Sequence, residues 1–160
     1  MAGVKPTAAG AGSVVAISIS AQKGVPKTNV PAALLVAEHG LQGDAHAGDW
    51  HRQVSLLALE SIEKMRAQGL DVGPGAFAEN ITTRSLDLPH LHVGDRLRIG
   101  EAELEITQLG KECHSRCAIF EATGDCVMPR EGVFARVLVG GPIQVGDPIQ
   151  AIVATPGASP

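Results

Sequence analysis

Short runs of apolar and β-branched residues recur along the chain, and glycine- or proline-rich turns separate them. Residues 14–19 alternate between apolar and small positions, which is typical of a strand that buries one face. The longer apolar run at 133–139 stops at Gly140 and Gly141, which indicates a buried strand. The pattern predicts strands at residues 14–19, 33–38, 53–58, 81–83, 97–99, 102–107, 133–139 and 149–153.

One segment has the period of a helix instead. Leu59, Ile62 and Met65 recur three residues apart, as they do on one face of a helix. Glu60 and Lys64 stand four residues apart, a spacing at which opposite charges attract across one helical turn. A glycine follows at position 69, where a helix would end. These features predict one amphipathic helix over residues 59–68.

The turns favour a closed sheet. Val-Gly-Asp occurs at 93–95 and again at 145–147, each time just before an apolar strand, so the two corners resemble each other. Many strands, few helices and dense turns predict a mostly β fold, with a β-barrel and a few short helices. We expect one domain over residues 14–153. The segments 1–13 and 154–160, rich in alanine, glycine and proline, are expected to be disordered tails.

Composition and charge narrow the classes of partner. The 160 residues suit a single core, which must be aliphatic because only 2% of residues are aromatic. A net charge of −4 without a cluster of basic residues argues against nucleic acid. No apolar run approaches the roughly 20 residues that span a bilayer, so we expect no membrane partner and a cytoplasmic protein.

All three cysteines, Cys113, Cys117 and Cys126, lie within the sixteen residues 111–126. Lys111, His114 and Arg116 stand among them and favour the thiolate, which is the reactive form of sulfur and a soft metal ligand. Two alternatives stay open: the cysteines fill the core, as Cys126 beside an apolar pair suggests, or they form a structural zinc site with His114 or His46. An odd number of cysteines makes a disulfide framework a poor prediction.

Two polar loops are further candidate sites. Residues 40–52 carry Asp44 and His46 among other charged and aromatic residues, and residues 71–80 end on Glu79 and Asn80. Either loop could bind a polar or anionic ligand, or could simply be a solvated turn. Arg130 and Arg136 could pair with phosphate. The chain lacks both a phosphate-binding glycine loop and a Gly-x-Ser-x-Gly elbow.

Taken in order, several segments resemble the MOSC family, the molybdenum cofactor sulfurase C-terminal domain. They are Gly-Leu-Gln-Gly-Asp-Ala-His (40–46), Arg-Gln-Val-Ser-Leu-Leu (52–57), Pro-Gly-Ala-Phe-Ala-Glu-Asn-Ile (74–81), the Val-Gly-Asp turns, residues 113–117 and Gly-Val-Phe-Ala-Arg-Val-Leu (132–138). The resemblance covers about residues 14–153. It implies a barrel-centred β fold and molybdenum or tungsten cofactor chemistry with a reactive cysteine. That cysteine falls on Cys117, with Cys113 as an additional thiol.

The resemblance also implies roles for the candidate residues. Cys117 would coordinate the metal of a molybdopterin-type cofactor or relay sulfur as a persulfide, with Cys113 assisting. The chain lacks the pyridoxal-phosphate domain of complete sulfurases, so sulfur would come from a donor protein or a partner in cofactor biosynthesis. Two alternatives remain: a reductase of N-hydroxylated compounds and a non-catalytic molybdopterin carrier. The expected cofactor-binding residues are Asp44, His46, Glu79, Asn80, Arg116 and Arg136.

Overall fold

The computed structural model describes residues 7–22, 25–110 and 131–153. Strands predominate over helices among the described residues. In chain order the elements are β1 (Thr7–Ile19), β2 (Thr28–Val30), β3 (Ala32–Val36), β4 (Gly40–Leu41), β5 (Val54–Ala58), α1 (Leu59–Ala67), β6 (Ile81–Arg84), a 3-10 helix (Leu88–His90), β7 (Arg96–Ile99), β8 (Ala102–Leu109), β9 (Val133–Val139), β10 (Gly141–Gln144) and β11 (Pro148–Val153).

Seven of these strands form a closed barrel. The order around it is β11, β7, β8, β9, β5, β6 and β1, and β1 pairs with β11 to close the ring. The pairs are antiparallel except β5 with β6, where Leu56 lies opposite Ile81 in a parallel register. A separate three-stranded sheet has the order β10, β3, β4. The prediction of a mostly β, barrel-centred fold is confirmed.

The first strand begins earlier than the pattern predicted. β1 starts at Thr7, so residues 7–13 are a strand and the prediction of a disordered tail is wrong for them. They pair with β11, from Thr7 opposite Val153 to Ser13 opposite Pro148. The glycines of this stretch, which suggested disorder, permit close packing: a Cβ on Gly12 would lie 2.2 Å from the carbonyl oxygen of Arg84. Residues 1–6 and 154–160 lie outside the described residues.

Three short strands lacked a hydrophobic signal. β2 is polar, β4 has only two residues, and β10 contains Pro142, which the sequence placed in a turn. β10 pairs with β3, with Pro142 opposite Leu34. Proline has no N–H group to donate to a neighbouring strand, so within a sheet it is found mainly in edge strands. β10 is an edge strand of its sheet, which agrees with this preference. These three strands are defined by their hydrogen bonds to neighbouring strands, and the local sequence does not predict such pairing.

Strand β5 separates two apolar clusters, which explains why it is buried on both faces. Leu56 packs in the larger cluster, with the aliphatic side chains of the barrel. Leu57 packs in the smaller cluster, which comprises Leu57, Ile62, Met65, Phe77 and Phe134. Helix α1 contributes two of these side chains, as its three-residue spacing predicted, and it ends one residue before the predicted boundary. The smaller cluster thereby fixes the helix and residue Phe77 of the 71–80 loop against β5 and β9.

Candidate functional site

The His46 loop, defined here as residues 42–53, connects β4 to β5 and holds two of the predicted site residues. Asp44 is buried, and its carboxylate accepts hydrogen bonds from the backbone N–H groups of Ser20 (3.1 Å) and His46 (3.0 Å). The N–H group of Ala45 also donates to the carbonyl oxygen of Ser20, at 2.7 Å. These bonds attach the start of the loop to the end of β1, so the positions of Asp44 and His46 are set by the barrel.

Lys27 is a member of this cluster that the sequence analysis missed. Its Nζ atom lies 2.8 Å from Oδ1 of Asp44 and 3.0 Å from Nδ1 of His46. The side chains of Lys27 and Asp44 are both fully buried. Lys27 lies in a polar turn of ordinary composition, 17 residues before its partner, and only the tertiary fold brings the two together.

The environment of Asp44 favours its charged form. Burial alone raises the pKa of Asp44, but the hydrogen bonds from Lys27, Ser20 and His46 and the charge of Lys27 together outweigh it and hold the pKa below the usual 3.8. Asp44 is therefore ionised at neutral pH. It forms a charge-assisted pair with the ammonium group of Lys27.

Lys27 also joins the two polar loops that the sequence suggested separately. Its backbone N–H donates to the carbonyl oxygen of Gly75 at 2.9 Å, while its side chain reaches the His46 loop. A Cβ on Gly75 would lie 2.5 Å from the carbonyl oxygen of Lys27, so only glycine fits this approach. The pairs Asp44 with His46 and Glu79 with Asn80 thus lie on neighbouring loops of one region.

Glu79 organises the second loop. Its carboxylate accepts hydrogen bonds from the N–H groups of Gly75 (2.8 Å) and Phe77 (3.1 Å) and from the hydroxyl of Thr82 (2.9 Å). Complete burial raises the pKa of Glu79 above its ordinary value despite these donors. The described contacts of this carboxylate favour a positioning role, and its role as a cofactor-binding residue stays a prediction.

The raised pKa of Glu79 has a consequence for stability. Because the folded protein holds this proton more tightly than the unfolded chain, the contribution of Glu79 is greatest below pH 4.5 and declines as the pH rises through the folded-state pKa. We therefore expect the destabilisation caused by Glu79→Gln to shrink between about pH 4 and about pH 8. Urea unfolding of both proteins across this range measures it. A deficit that grows with pH would contradict the account.

Asn80 connects three strands. Its side-chain oxygen accepts hydrogen bonds from the N–H (2.9 Å) and hydroxyl (3.2 Å) of Ser55, and its Nδ2 donates to the carbonyl oxygen of Ser18 at 3.1 Å. All three residues are buried. The side chain thus links the start of β6 to β5 and β1, in the region that carries Lys27 and Asp44. Contact of Asn80 with a cofactor stays a prediction.

The far end of the His46 loop is fixed beside the start of the cysteine segment, residues 111–130. His51 Nε2 and Arg52 Nε each lie 3.0 Å from Oε1 of Gln108. Gln108 Nε2 in turn donates to the carbonyl oxygen of Gly110 at 2.8 Å, and the N–H of Gly110 donates to the carbonyl oxygen of Gly132 at 2.7 Å. Gly110 and Gly132, the described residues on either side of the cysteine segment, therefore lie close to the residues that hold this loop.

Aromatic contacts continue along the loop between its two ends. Trp50 Nε1 donates to the carbonyl oxygen of His46 at 2.7 Å, and its ring lies parallel to that of His46 and edge-on to that of His51. The guanidinium of Arg52 lies over the ring of Phe134, 5.1 Å from its centroid. Trp50 is the only tryptophan of the chain and is 37% exposed, so its fluorescence reports on this loop.

Arg136 lies on β9. The sequence suggested that its guanidinium could bind phosphate, but in the structure it pairs with carboxylates. Its Nε donates to Glu105 at 2.7 Å, and Nη1 lies 3.7 Å from Glu38. The hydrogen bond and charge of Glu105, with a smaller effect of Glu38, raise the pKa of Arg136 above its usual value. Within the described part of the chain its ion pairs are with these two carboxylates. A role in cofactor binding stays a prediction.

Several predicted residues lie outside the described residues: Cys113, Cys117, Cys126, Lys111, His114, Arg116 and Arg130. Within residues 7–22, 25–110 and 131–153, no group of three or more histidine, cysteine, aspartate or glutamate side chains is arranged to hold a metal ion. The same ranges contain no helix with the length and apolar character that a membrane crossing requires.

The barrel, the separate three-stranded sheet and the two polar loops define a small β-barrel protein whose candidate site is built from loops that join its strands. The model of the MOSC domain matches residues 42–150, more than half of the chain. The chain belongs to the MOSC family, as the sequence resemblance predicted. No curated protein matches the chain.

Solved structures share the fold. The YUAD protein of Bacillus subtilis is 16% identical, with a TM-score of 0.76 over 91% of this chain and 97% of that one. YiiM from Escherichia coli is 20% identical, with a TM-score of 0.62 over 89% of this chain and 71% of its own. YiiM from Geobacillus stearothermophilus is 19% identical, with a TM-score of 0.64 over 92% and 77%. At these identities the likeness establishes the fold alone.

Proposed function

We propose that this protein binds a molybdenum or tungsten cofactor of the molybdopterin type and handles its sulfur or metal through Cys117. One observation supports the proposal within this family: His51 and Arg52 bond to Gln108, which lies three residues before the start of the cysteine segment at position 111. The loop that presents Asp44 and His46 is thereby attached close to Gly110, the residue that precedes the segment containing Cys117. A cytoplasmic location belongs to the same proposal, since working thiols need a reducing compartment.

The described residues fit such a ligand. A molybdopterin-type cofactor carries a phosphate group and sulfur ligands, so its site needs hydrogen-bond donors and little uncompensated negative charge. The His46 loop carries the guanidinium of Arg52, of which Nε bonds Gln108 at 3.0 Å, and the negative charge of Asp44 is compensated by Lys27 at 2.8 Å. The donor set and charge balance are therefore suited to an anion.

Different residues of the chain would hold the metal, bind the phosphate and fix the loops. Cys117, as a thiolate, would hold the soft metal, and Arg116 and Arg136 would present their guanidinium groups to phosphate. Asp44, Glu79 and Asn80 would fix the loops, because their polar atoms already bond within the protein. The bound metal would supply oxygen-atom or sulfur chemistry that side chains cannot perform.

A sulfur relay by Cys117 needs a persulfide donor, which a partner protein would carry. The Cys117 thiolate attacks the outer sulfur of the donor persulfide, so a new S–S bond forms on Cys117. The donor's own S–S bond breaks, and the donor leaves as a thiolate. The step uses no external oxidant, and Cys113 would assist as a second thiol four residues away.

Mass spectrometry after incubation with a small-molecule persulfide tests the relay. We expect the wild type to gain one sulfur atom per chain and Cys117→Ala to lose at least nine-tenths of that adduct, because the sulfur resides on this thiol. Cys126→Ala is the matched control and should retain the adduct, since Cys126 stands beside an apolar pair. If Cys117→Ala keeps the full adduct, the relay is wrong.

Cofactor binding is tested separately by titrating the purified protein with cofactor extracted from a molybdenum enzyme. Trp50 is the only tryptophan and lies on the His46 loop, so binding there should change its emission. Binding without sulfur transfer or turnover would support the carrier alternative. Turnover of an N-hydroxylated compound with a reductant, lost in Cys117→Ala, would support the reductase alternative. An unchanged emission spectrum would argue against a site at this loop.

A further inference from the structure

Arg52 is a half-buried arginine, and within the described part of the chain most of its hydrogen-bond donors have no acceptor. A guanidinium group carries five N–H donors, one on Nε and four on the two Nη atoms. Nε donates to Oε1 of Gln108 at 3.0 Å. Among the described residues, no acceptor bonds to either Nη atom and no carboxylate forms an ion pair with Arg52. One edge of the guanidinium is therefore bonded to the protein, and the Nη donors remain for another acceptor.

Gln108 holds this guanidinium in a defined orientation. The guanidinium of Arg52 has no acceptor and the carbonyl oxygen of Gly110 has no donor, so the two contacts fix the amide of Gln108. Oε1 accepts, and Nε2 donates at 2.8 Å. His51 Nε2, at 3.0 Å, therefore also donates to Oε1. The hydroxyl of Thr107 bonds the carbonyl oxygen of His51, which fixes the backbone beside Arg52. These bonds reduce the freedom that the arginine would lose on binding a ligand.

The ring of Phe134 supports the same group. Cζ of Arg52 lies over this ring, 5.1 Å from its centroid. A cation–π contact uses the charge and needs no N–H donor, so it does not compete with hydrogen bonds to a ligand. Because the side chain is half-buried, water is partly excluded, which strengthens a hydrogen bond from this cation to an anion. The guanidinium is thus arranged for a bidentate contact through its Nη atoms.

Three other arginines of the described residues are already paired with carboxylates. Arg96 and Arg98 share Glu103, and Arg136 pairs with two carboxylates. An anionic ligand would have to compete with these carboxylates for the guanidinium groups. Arg52 presents its positive charge without such competition from the described residues, so it is the better placed of these four arginines for an anion.

We propose that Arg52 binds a phosphate or a similar oxyanion of the ligand through its two Nη atoms. Phosphate offers acceptor oxygens at the spacing of the guanidinium fork, which favours arginine over lysine for this contact. Gln108 and Phe134 act as positioning residues, because they hold the guanidinium. The inference rests on the proposed function only for the molecule that carries the phosphate, which is then the molybdopterin-type cofactor.

Inorganic phosphate, titrated at constant ionic strength, tests the site without any cofactor. Nitrogen-15 NMR follows the Nε–H group of each arginine in the wild-type protein, and Arg52→Lys identifies the Arg52 signal by its loss. We expect phosphate to shift this signal until the site is saturated. The signal of Arg66 should stay unchanged, because Arg66 also donates from Nε to a carbonyl oxygen, that of Val72 at 2.6 Å, but is exposed. An Arg52 signal that does not respond to phosphate would overturn the proposal.

Binding of cofactor extracted from a molybdenum enzyme, followed by Trp50 emission, is the second measurement. Arg52→Gln should weaken this binding roughly tenfold or more, because a bidentate charge-assisted contact is lost, and Arg66→Gln should keep wild-type affinity. After a phosphatase has removed the phosphate of the cofactor, Arg52→Gln and the wild type should bind it equally. Equal affinities for the untreated cofactor would overturn the role of Arg52. A phosphate-dependent shift at Arg52 without any cofactor binding in the wild type would overturn the proposed function and support the oxyanion site.

Discussion

Replacing Lys27 by methionine is expected to destabilise the protein by about 3–5 kcal/mol. The substitution leaves the Asp44 carboxylate buried and ionised without its cation, and such a charge is costly in a protein interior. The loss is a large fraction of the roughly 5–15 kcal/mol that stabilises a typical domain. Urea unfolding at pH 7, followed by Trp50 fluorescence, measures it.

Two control variants distinguish the effect of breaking a buried ion pair from the effect of removing any lysine. Lys64 pairs with Glu131 at 3.0 Å, but its side chain is 62% exposed, so Lys64→Met should cost less than about 1 kcal/mol. The double variant Lys27→Met/Asp44→Asn should recover part of the stability, because no buried charge is left unpaired. Equal effects of Lys27→Met and Lys64→Met would contradict a buried ion pair at Asp44.

Asn80→Ala has the second-largest expected effect, a loss of about 3 kcal/mol. The change removes the partner of the Ser55 N–H and of the Ser18 carbonyl, which stay buried and lose these bonds. Each unsatisfied buried group costs about 1–3 kcal/mol. The measurement is again the free energy of unfolding in urea at pH 7.

Asn29→Ala is the matched control for Asn80. Asn29 also bonds a serine of β1, accepting from the Ser18 hydroxyl at 2.7 Å, but its side chain is at the surface. Because only the Ser18 hydroxyl loses its partner, we expect a smaller cost than for Asn80→Ala, about 1 kcal/mol. If Asn80→Ala retains wild-type stability and yet abolishes cofactor binding, Asn80 contacts the ligand directly and the structural interpretation is wrong.

The hydrophobic pattern correctly predicted the strands that have an apolar face. The runs at 133–139 and 149–153 correspond to β9 and β11, and the helix was placed within one residue of its observed end. The start of β1 was missed, because glycine is read as disorder from sequence while Gly12 is required by the close approach of Arg84. β10 was missed, because it exists only through its pairing with β3.

The site was predictable only in part. The density of polar residues and the family resemblance identified Asp44, His46, Glu79 and Asn80, but not the difference between binding a ligand and fixing a loop. That difference depends on tertiary hydrogen bonds, such as those from Ser55 to Asn80. Lys27 gave no sequence signal, because its partner lies 17 residues away and burial of a lysine cannot be read from an ordinary turn.

A single site requires one spatial relation: Cys117 must approach the His46 loop. The described structure supports it through the anchor of this loop at Gln108, beside the point where the cysteine segment begins. If the thiol lay elsewhere, the donors of the loop and the thiolate could not act on one cofactor. The distance between Trp50 and Cys117 is therefore the quantity to measure.

Bimane fluorescence measures it directly, because tryptophan quenches this dye only at short range. Cys113→Ser/Cys126→Ser leaves Cys117 as the single thiol for labelling, and Trp50 is the only tryptophan. We expect strong quenching of the label on Cys117 and recovery of its emission when Trp50→Phe is added. An emission yield that is the same with and without Trp50 would contradict a single site formed by Cys117 and the His46 loop.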